Sequence, residues 1–242
     1  MNRVDHAIIM AAGKGDRMHP ITFETPKPMI KVNGVRMIDT VIEGLRANGI
    51  NKIYIVVGYL KEKFEILTKE YPGVELIVND NYDKCNNISS LYAARDLISN
   101  AIILDGDQCI YNNRILAPEF ELSGYNAVWT EGYTDEWLMT VEDDIVTGCS
   151  RTGGTGGWQL YSISRWSRKD GIKMKELLEL EFEEKKNYGV YWDDVPMFLH
   201  PDSFRLGIHV MNREDIREID SLEELVEIDS NYLEIKESYY GK

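Results

Sequence analysis

The sequence predicts a three-layer α/β fold, in which a mixed sheet is covered by helices on both faces. Over the first hundred residues, apolar strand-like runs alternate with helical patterns, an order typical of parallel strands that helices connect. From Gly124 onward, closely spaced strands replace that alternation and indicate hairpins added to the sheet. A glycine-rich turn directly follows the first apolar run, and it marks a candidate ligand site at the carboxyl edge of the sheet.

The first half of the chain supplies the parallel part of the predicted sheet. Residues 6–11 form the first apolar strand, and residues 37–45 have a helical spacing that ends near Asn48-Gly49, a good helix terminus. The remaining segments are buried-type strands and short helices, in the order strand 52–57, helix 61–69, strand 74–78, helix 87–97 and strand 101–104. Asn87 and Ser89 offer side chains that could cap the second of these helices.

The second half of the chain is predicted to contain hairpins and an acidic helix. Its segments are, in order, strand 127–130, strand 137–141, strand 145–149, strand 158–165 and helix 169–183. Asp143-Asp144 is suited to a hairpin turn between two of these strands. The glycine-rich segment 153–157 has no strand-to-helix context, so we expect a flexible hairpin loop there instead of a second phosphate loop.

Composition limits the classes of partner and compartment. The 242 residues are 43% hydrophobic, enough for a buried core, and carry a formal net charge of −14. Nucleic acids and anionic membranes require basic surfaces, so this charge argues against both as partners. Cys85, Cys109 and Cys149 are too widely spaced for a zinc or disulfide framework. Because the sequence has no membrane-length apolar run and no signal sequence, we expect a cytoplasmic protein.

The most informative motif lies in residues 11–28. Gly13-x-Gly15 is followed by Arg17 and by Lys27, which stands between two prolines. Glycines let backbone N–H groups approach phosphate oxygens closely, and the two cations can neutralise a polyphosphate. The spacing fits neither the Walker loop nor the dinucleotide fingerprint. The motif therefore predicts a nucleotide-using enzyme of another type.

A pair of carboxylates follows the strand at 101–104. Asp105-Gly106-Asp107 lies at the carboxyl end of a central strand, where open α/β sheets bind their ligands. Mg²⁺ prefers a few carboxylates together with phosphate and water oxygens, so a position opposite the glycine turn suits it. The alternative is an ordinary Asp-Gly turn without a metal.

Aromatic residues stand beside acidic ones throughout the second half, as in Glu136-Trp137 and Tyr191-Trp192-Asp193. Aromatic faces with nearby carboxylates are the best site for a quaternary ammonium. A sugar pocket would need several amide and hydroxyl groups, and a primary amine would favour more carboxylates and fewer aromatic rings. Core packing alone is a further explanation for most of these rings.

The segments Met10–Arg17 and Pro26-Lys27-Pro28 resemble the signature of the nucleotidyltransferases with a Rossmann-like, glycosyltransferase-A-like fold. Asp16 departs from the Ser or Thr usual there and adds a negative charge beside the expected triphosphate. The resemblance implies that Arg17 binds the nucleotide at its leaving phosphates, that Lys27 binds the acceptor phosphate, and that Asp107 and Asp229 are Mg²⁺ ligands. It also implies that the nucleotide is contacted by Ala11, Ala12, Gly13, Gly15 and Asp105. Asp220 is the alternative to Asp229 as the second ligand.

Within that family, the chain resembles the bacterial CTP:phosphocholine cytidylyltransferases. The matching stretches are Asn79-x-x-Tyr82-x4-Asn87-x-Ser89, Leu104–Asp107, Glu136-Trp137, Tyr191–Asp193 and Glu227–Asp229. The resemblance implies that Trp137, Tyr191 and Trp192 surround the trimethylammonium group, with Glu136 and Asp193 as counter-charges. It also implies that Asn87 and Ser89 recognise cytosine, although both could equally be helix caps.

These features lead to one hypothesis and several alternatives. We expect a single domain over residues 1–242, with a nucleotide-binding half of about 1–123 and an acceptor-binding half of about 124–242. The expected reaction is Mg²⁺-dependent CMP transfer from CTP to phosphocholine, which gives CDP-choline and pyrophosphate. A nucleotidyltransferase for a sugar 1-phosphate or for 2-aminoethylphosphonate, a glycosyltransferase and a non-catalytic binding module are the alternatives. The resemblance leaves a homodimer open.

Overall fold

The computed structural model describes residues 1–241. The strands, in chain order, are β1 (Asn2–Arg3), β2 (His6–Ala11), β3 (Lys31–Val32), β4 (Val35–Arg36), β5 (Ile53–Val57), β6 (Val74–Val78), β7 (Ala101–Asp105), β8 (Gln108–Ile110), β9 (Glu119–Phe120), β10 (Gly124–Thr134), β11 (Leu138–Glu142), β12 (Ile145–Ser150), β13 (Gly154–Trp166), β14 (Gly207–Val210) and β15 (Ile216–Glu218).

Helices of three kinds connect the strands. The α-helices are α1 (Met37–Ala47), α2 (Glu65–Glu70), α3 (Ile88–Ala93), α4 (Arg168–Glu179), α5 (Leu222–Ile228) and α6 (Leu233–Tyr240). Short 3-10 helices span Asp16–Met18, Ile21–Phe23, Lys27–Met29, Lys61–Phe64, Arg95–Leu97, Asn113–Leu116, Pro201–Ser203, Arg213–Asp215 and Ser230–Tyr232. Short π-helices span Leu180–Glu184 and Val195–Leu199. Every helix in this described part of the chain is too short or too polar to span a bilayer.

The main sheet is mixed, as the sequence predicts. Strands β6, β5, β2 and β7 pair in that order and are all parallel. Strand β13 pairs with β7 in the antiparallel direction, and β10 pairs with β13 in the same way. Strand β14 then pairs with β10 in parallel. The β11–β12 hairpin pairs with β13 and β14, and so completes the second half of the sheet. This order brings the two halves of the chain together along the β7–β13 pairing.

Apolar cores cover both faces of the parallel strands. In β2, Ile9 packs into the core that contains helix α1, whereas its neighbour Ile8 packs into the core that contains α3 and α4. Ile102 and Ile103 of β7 divide between the same two cores. Adjacent residues of a strand point to opposite faces, so fully apolar strands require cover on both sides. The predicted α/β class and its helix cover are confirmed.

Several predicted elements differ in their detail. Residues 154–157 of the expected glycine-rich loop belong to β13, because Gly154 and Gly157 pair with Thr134 and Thr130 of β10. The expected loop was therefore wrong. The helix expected through Leu97 ends at Ala93 and is followed by a 3-10 turn. The hairpin turn is confirmed, since Asp143 and Asp144 both have a positive φ, the backbone form that two-residue hairpins favour.

Two glycines of β10 provide a test of sheet packing. A Cβ at Gly124 would lie 1.9 Å from the Gly207 carbonyl oxygen, whereas a Cβ at Gly132 would meet nothing within 4 Å. We expect Gly124→Ala to lower the free energy of unfolding by about 3 kcal/mol or more, because the β10–β14 backbones must separate. Gly132→Ala, the matched control, should change it by less than about 1 kcal/mol. Urea unfolding of both variants measures the difference, and equal stabilities would contradict this packing.

Candidate active site

The glycine turn and the acidic motif meet at the carboxyl edge of the parallel strands. Met10 at the end of β2 is the parallel partner of Asp105 at the end of β7, and the Gly106 amide donates to the Met10 carbonyl at 2.9 Å. Gly15 has a φ of 67°, and a Cβ there would lie 3.0 Å from the Lys27 Cβ. Only glycine suits this position, because the left-handed backbone and the lysine leave no room.

An ion-pair cluster joins three distant segments at this edge. The Lys27 ammonium lies 2.6 Å from an Asp107 carboxylate oxygen and 2.7 Å from one of Asp220. Arg17 contacts the same Asp220 oxygen at 3.1 Å. Burial alone would lower the pKa of Lys27, but the two carboxylates outweigh it and raise that pKa above its ordinary value. Burial likewise opposes ionisation of Asp220, and Lys27 with Arg17 nevertheless holds the Asp220 pKa below its usual range.

Asp229 does not join this cluster. One of its carboxylate oxygens accepts from the Asn33 amide at 2.8 Å, and the other accepts from Asn231. These bonds cap a short helix and tie it to the turn between β3 and β4. The expectation that Asp229 stands opposite Asp107 was wrong, and Asp220 takes that place. The tertiary fold decides this point, because both aspartates follow apolar segments within nine residues of each other.

The nucleotide-side cavity lies beside this cluster. It has a volume of about 640 Å³ and contains most of the predicted nucleotide-binding residues. These are Ala11, Ala12, Gly13, Gly15, Arg17, Asn87 and Asp105, with Lys27, Asp107 and Asp220 at the cluster itself. Ser89 lines a smaller adjoining cavity of about 160 Å³ together with Ala12 and Gly13.

Asn87 and Ser89 are not the helix caps that the sequence allowed. Neither end of α3 has a side-chain cap, although Asn87 occupies the position before its first residue. The Asn87 side-chain oxygen accepts instead from the Trp192 backbone N–H at 2.9 Å. The Ser89 hydroxyl donates to the Asn86 carbonyl and accepts from buried Asn79. Both residues therefore stabilise the wall of the nucleotide-side cavity.

A second cavity of about 240 Å³ adjoins the first, and we call it the acceptor cavity. Its lining combines four carboxyl groups with two aromatic rings. The full lining is Asn87, Asp105, Glu136, Trp137, Leu160, Ser162, Tyr191, Asp193 and Glu218. Asn87, Asp105 and Tyr191 line both cavities, so ligands in the two would be neighbours.

The two aromatic walls of the acceptor cavity are Trp137 and Tyr191. Their ring centroids are 5.9 Å apart and the rings are perpendicular at 89°, so together they form a corner. Trp192 is not a third wall. It is only 3% exposed and stacks on Tyr125 with centroids 6.0 Å apart, inside the core that contains α4. The expectation that Trp192 contacts the acceptor was wrong, because adjacent residues of this turn point in opposite directions.

Burial opposes the ionisation of three carboxyl groups in the acceptor cavity. Burial raises the pKa of Asp193 to about 7 and that of Glu218 to about 7, and it raises the Asp105 pKa well above its ordinary value. The Asp193 carboxyl also faces the buried Tyr125 hydroxyl, which opposes the effect of burial on the Asp193 pKa. Groups of this kind gain from a cationic ligand that can donate hydrogen bonds. Glu218 escaped the sequence analysis, since its only signal is an acidic residue at the end of a short strand.

The carboxylates that could hold a divalent cation are few. Within residues 1–241, no three His, Cys, Asp or Glu side chains converge in the manner of an all-protein metal centre. Asp107 and Asp220 nevertheless share one cation, the Lys27 ammonium, at hydrogen-bond distance. Two carboxylates suit Mg²⁺, which takes its other ligands from phosphates and water.

Known proteins resemble this chain in sequence and in fold. The family model of the nucleotidyl transferases matches residues 6–116. A 2-aminoethylphosphonate cytidylyltransferase of Lancefieldella rimae is 37% identical, over 94% of this chain and 93% of its own length. A choline-phosphate cytidylyltransferase of Streptococcus pneumoniae is 33% identical, over 90% of this chain and 94% of its own length. A solved structure of CTP:phosphocholine cytidylyltransferase from the same species aligns with a TM-score of 0.87, 31% identity and coverage of 95% and 99%.

The chain belongs to the nucleotidyltransferase family. It is an enzyme of the cytidylyltransferase branch, since the relatives that it matches along nearly their whole length carry that activity. The expected resemblance to the bacterial CTP:phosphocholine cytidylyltransferases is confirmed by both sequence and structure.

The free energy of unfolding of two variants can test whether Trp192 packs in the core while Trp137 lines a cavity. We expect Trp192→Ala to lower the free energy of unfolding by about 3–5 kcal/mol, because it empties a stacked core site. Trp137→Ala, at the wall of a cavity, should cost less than about half as much. Thermal or urea unfolding of the two variants measures this. A larger loss for Trp137→Ala would mean that Trp192 is not the core residue.

Proposed function

We propose that this enzyme transfers CMP from CTP to a short phosphonate or phosphate with an ammonium head, and that 2-aminoethylphosphonate is the favoured acceptor. The single observation that carries this proposal is the lining of the acceptor cavity, with its four carboxyl groups and two aromatic rings. The 37% identical relative is named for the same acceptor. The proposal concerns the acceptor and the metal, since the cytidylyltransferase class follows from the family.

The balance of carboxyl groups and rings favours a primary ammonium. A primary ammonium donates three hydrogen bonds, and the carboxyl groups that line the cavity, Asp193 among them, can accept them once ionised. A trimethylammonium group donates none and gains mainly from aromatic faces. Binding a compact cation would also offset the cost of ionising the buried carboxyl groups.

Phosphocholine is the second candidate, and a specific observation favours it. Trp137 and Tyr191 form a perpendicular corner, which presents two aromatic faces or edges to one cation. A relative with 33% identity and a neighbour with a TM-score of 0.87 are both named for phosphocholine. A sugar 1-phosphate is disfavoured, because the cavity offers few amide and hydroxyl groups for ring hydroxyls.

The proposed reaction exchanges one phosphoanhydride bond for another. An oxygen of the acceptor phosphonate attacks the α-phosphorus of CTP, and the bond from that phosphorus to the oxygen bridging the α- and β-phosphates breaks, which releases pyrophosphate. The attacking oxygen is already anionic, so no general base is required. Positioning and charge neutralisation therefore supply most of the rate.

The residues at the carboxyl edge have separate tasks in this reaction. The backbone at Gly13 and Gly15 receives the triphosphate, and Arg17 binds the phosphates that leave. Lys27, held by two carboxylates in the free enzyme, turns its ammonium to the reacting phosphates. Asp107 and Asp220 would hold Mg²⁺, in place of the contacts that they make to Lys27. When bound, this ion would neutralise negative charge on the phosphates.

The acceptor preference can be measured by pyrophosphate release with CTP. We expect kcat/KM for 2-aminoethylphosphonate to exceed that for phosphocholine by about tenfold or more, because a lost set of charge-assisted hydrogen bonds costs at least that much. Phosphoethanolamine should be intermediate and glucose 1-phosphate inactive. Asp193→Asn should reduce this preference, whereas the exposed control Asp202→Asn should leave it unchanged. A preference for phosphocholine would select the second candidate, and a preference for glucose 1-phosphate would overturn both.

The assignment of Asp220 as metal ligand can be tested against Asp229. We expect Asp107→Asn and Asp220→Asn each to reduce turnover by about a hundredfold or more and to abolish Mn²⁺ binding with a non-hydrolysable CTP analogue. Asp229→Asn should keep Mn²⁺ binding, because its carboxylate bonds to Asn33 and Asn231. Loss of Mn²⁺ binding in Asp229→Asn alone would restore the assignment that the sequence suggested.

A further inference from the structure

We propose that Arg151 and Asp194 form a positioning pair that fixes the two aromatic walls of the acceptor cavity at their mutual angle. This inference rests on the proposed function, since it assigns a role in acceptor binding. Neither residue lines the acceptor cavity, and neither touches the site of the reacting phosphates. Their effect is therefore indirect and acts through Trp137 and Tyr191.

Asp194 holds the turn that carries Tyr191. It is only 3% exposed, and its Oδ2 atom accepts from the Tyr191 backbone N–H at 2.8 Å. Its own N–H donates to the Tyr191 carbonyl at 3.1 Å, so backbone and side chain close the same turn. The other oxygen, Oδ1, receives two hydrogen bonds from Arg151, from Nε at 2.9 Å and from Nη2 at 2.5 Å.

Arg151 connects this turn to the other aromatic wall. Its guanidinium carbon lies 4.0 Å from the centroid of the Phe198 ring and 5.8 Å from that of Trp137. Phe198 in turn packs edge-on against Trp137, with centroids 5.3 Å apart. Because Trp137 also meets Tyr191, the contacts form a closed ring: Arg151, Asp194, Tyr191, Trp137, Phe198 and back to Arg151.

The backbone that carries Arg151 is itself anchored next to Trp137. Gly153 has a φ of 69°, and a Cβ there would lie 1.8 Å from the Thr134 carbonyl oxygen. This contact presses the turn between β12 and β13 against the segment that leads into Glu136 and Trp137. The Ser150 hydroxyl closes the same turn by donating to the Gly153 carbonyl at 2.7 Å. Arg151 thus extends from a fixed turn and not from a free loop.

The fixed angle between the Trp137 and Tyr191 rings affects binding of the acceptor more than it affects the chemical step. A wall that is already oriented loses less conformational freedom when the acceptor binds, so its disruption raises the acceptor KM. The chemical step depends on groups at the carboxyl edge of the sheet, which this pair does not touch. We therefore expect the larger effect on the acceptor KM, with kcat little changed, and a smaller rise in the KM for CTP, because Tyr191 also lines the nucleotide-side cavity.

The test compares Arg151→Met with a matched pair elsewhere. Arg95 also pairs with a carboxylate, Glu179 at 3.2 Å, and lies 4.2 Å above a tyrosine ring, Tyr92, outside both cavities. We expect Arg151→Met to raise the acceptor KM about tenfold and Arg95→Met to leave it unchanged. Arg151→Lys should recover only part of the loss. The guanidinium donates two hydrogen bonds to Asp194 and also stacks on Phe198, and a single ammonium group cannot make all of these contacts.

Hydrogen exchange provides a readout that does not depend on which acceptor is used. The Tyr191 amide, bonded to Asp194, should exchange faster in Arg151→Met than in the wild type, and at the wild-type rate in Arg95→Met. Unchanged exchange, or a fall in kcat as large as the rise in KM, would overturn the positioning role. If the wild-type enzyme uses no ammonium-bearing phosphonate or phosphate, the proposed function itself fails. The two failures are therefore distinguishable.

Discussion

The structure of the active-site edge depends on a single buried ammonium. Lys27 lies between Asp107 and Asp220, and these three residues come from the beginning, middle and end of the chain. An ammonium that is largely removed from water needs compensating charge, and two carboxylates in contact supply it. The same contacts hold the short helix at Lys27–Met29 and the segment after β15 against the carboxyl end of β7. The binding site is thereby assembled before any ligand arrives.

This cluster also explains how nucleotide and metal binding would be linked in the proposed reaction. Lys27 and a divalent cation would draw on the same two carboxylates, so binding of the cation weakens the hold of these carboxylates on Lys27. Triphosphate at the glycine turn gives the lysine an alternative anionic partner and gives the cation further oxygen ligands. Binding of one would thus favour binding of the other. Arg17 also contacts Asp220, so its ion pair would change when that carboxylate changes partner.

In the proposed function, the acceptor cavity selects a cation through buried carboxyl groups that resist ionisation until the cation binds. Burial raises the pKa values of two of its carboxyl groups, Asp193 and Glu218, to about 7. A neutral ligand would leave that situation unchanged, whereas an ammonium group would stabilise the ionised forms. Asn87 links this cavity to the nucleotide side through its bond to the Trp192 backbone. The two reacting groups can therefore meet without a large rearrangement of the sheet.

Local pattern was sufficient for the four parallel strands and helix α1 of the first half, because periodicity and turn chemistry act over a few residues, but not for the short strands or for the end of α3. The family resemblance singled out Asp107, Trp137, Tyr191 and Asp193, and the structure places all four in the linings of the two cavities. Contacts between distant segments decided the rest. The resemblance pointed to Asp229 with Asp220 as the alternative, and only the contact of Asp220 with Lys27 separates the two. Tyr191 and Trp192 are likewise neighbours in the chain, but Tyr191 lines a cavity and Trp192 packs in the core. The direction of each side chain depends on how the turn packs against the sheet, which the local sequence does not reveal.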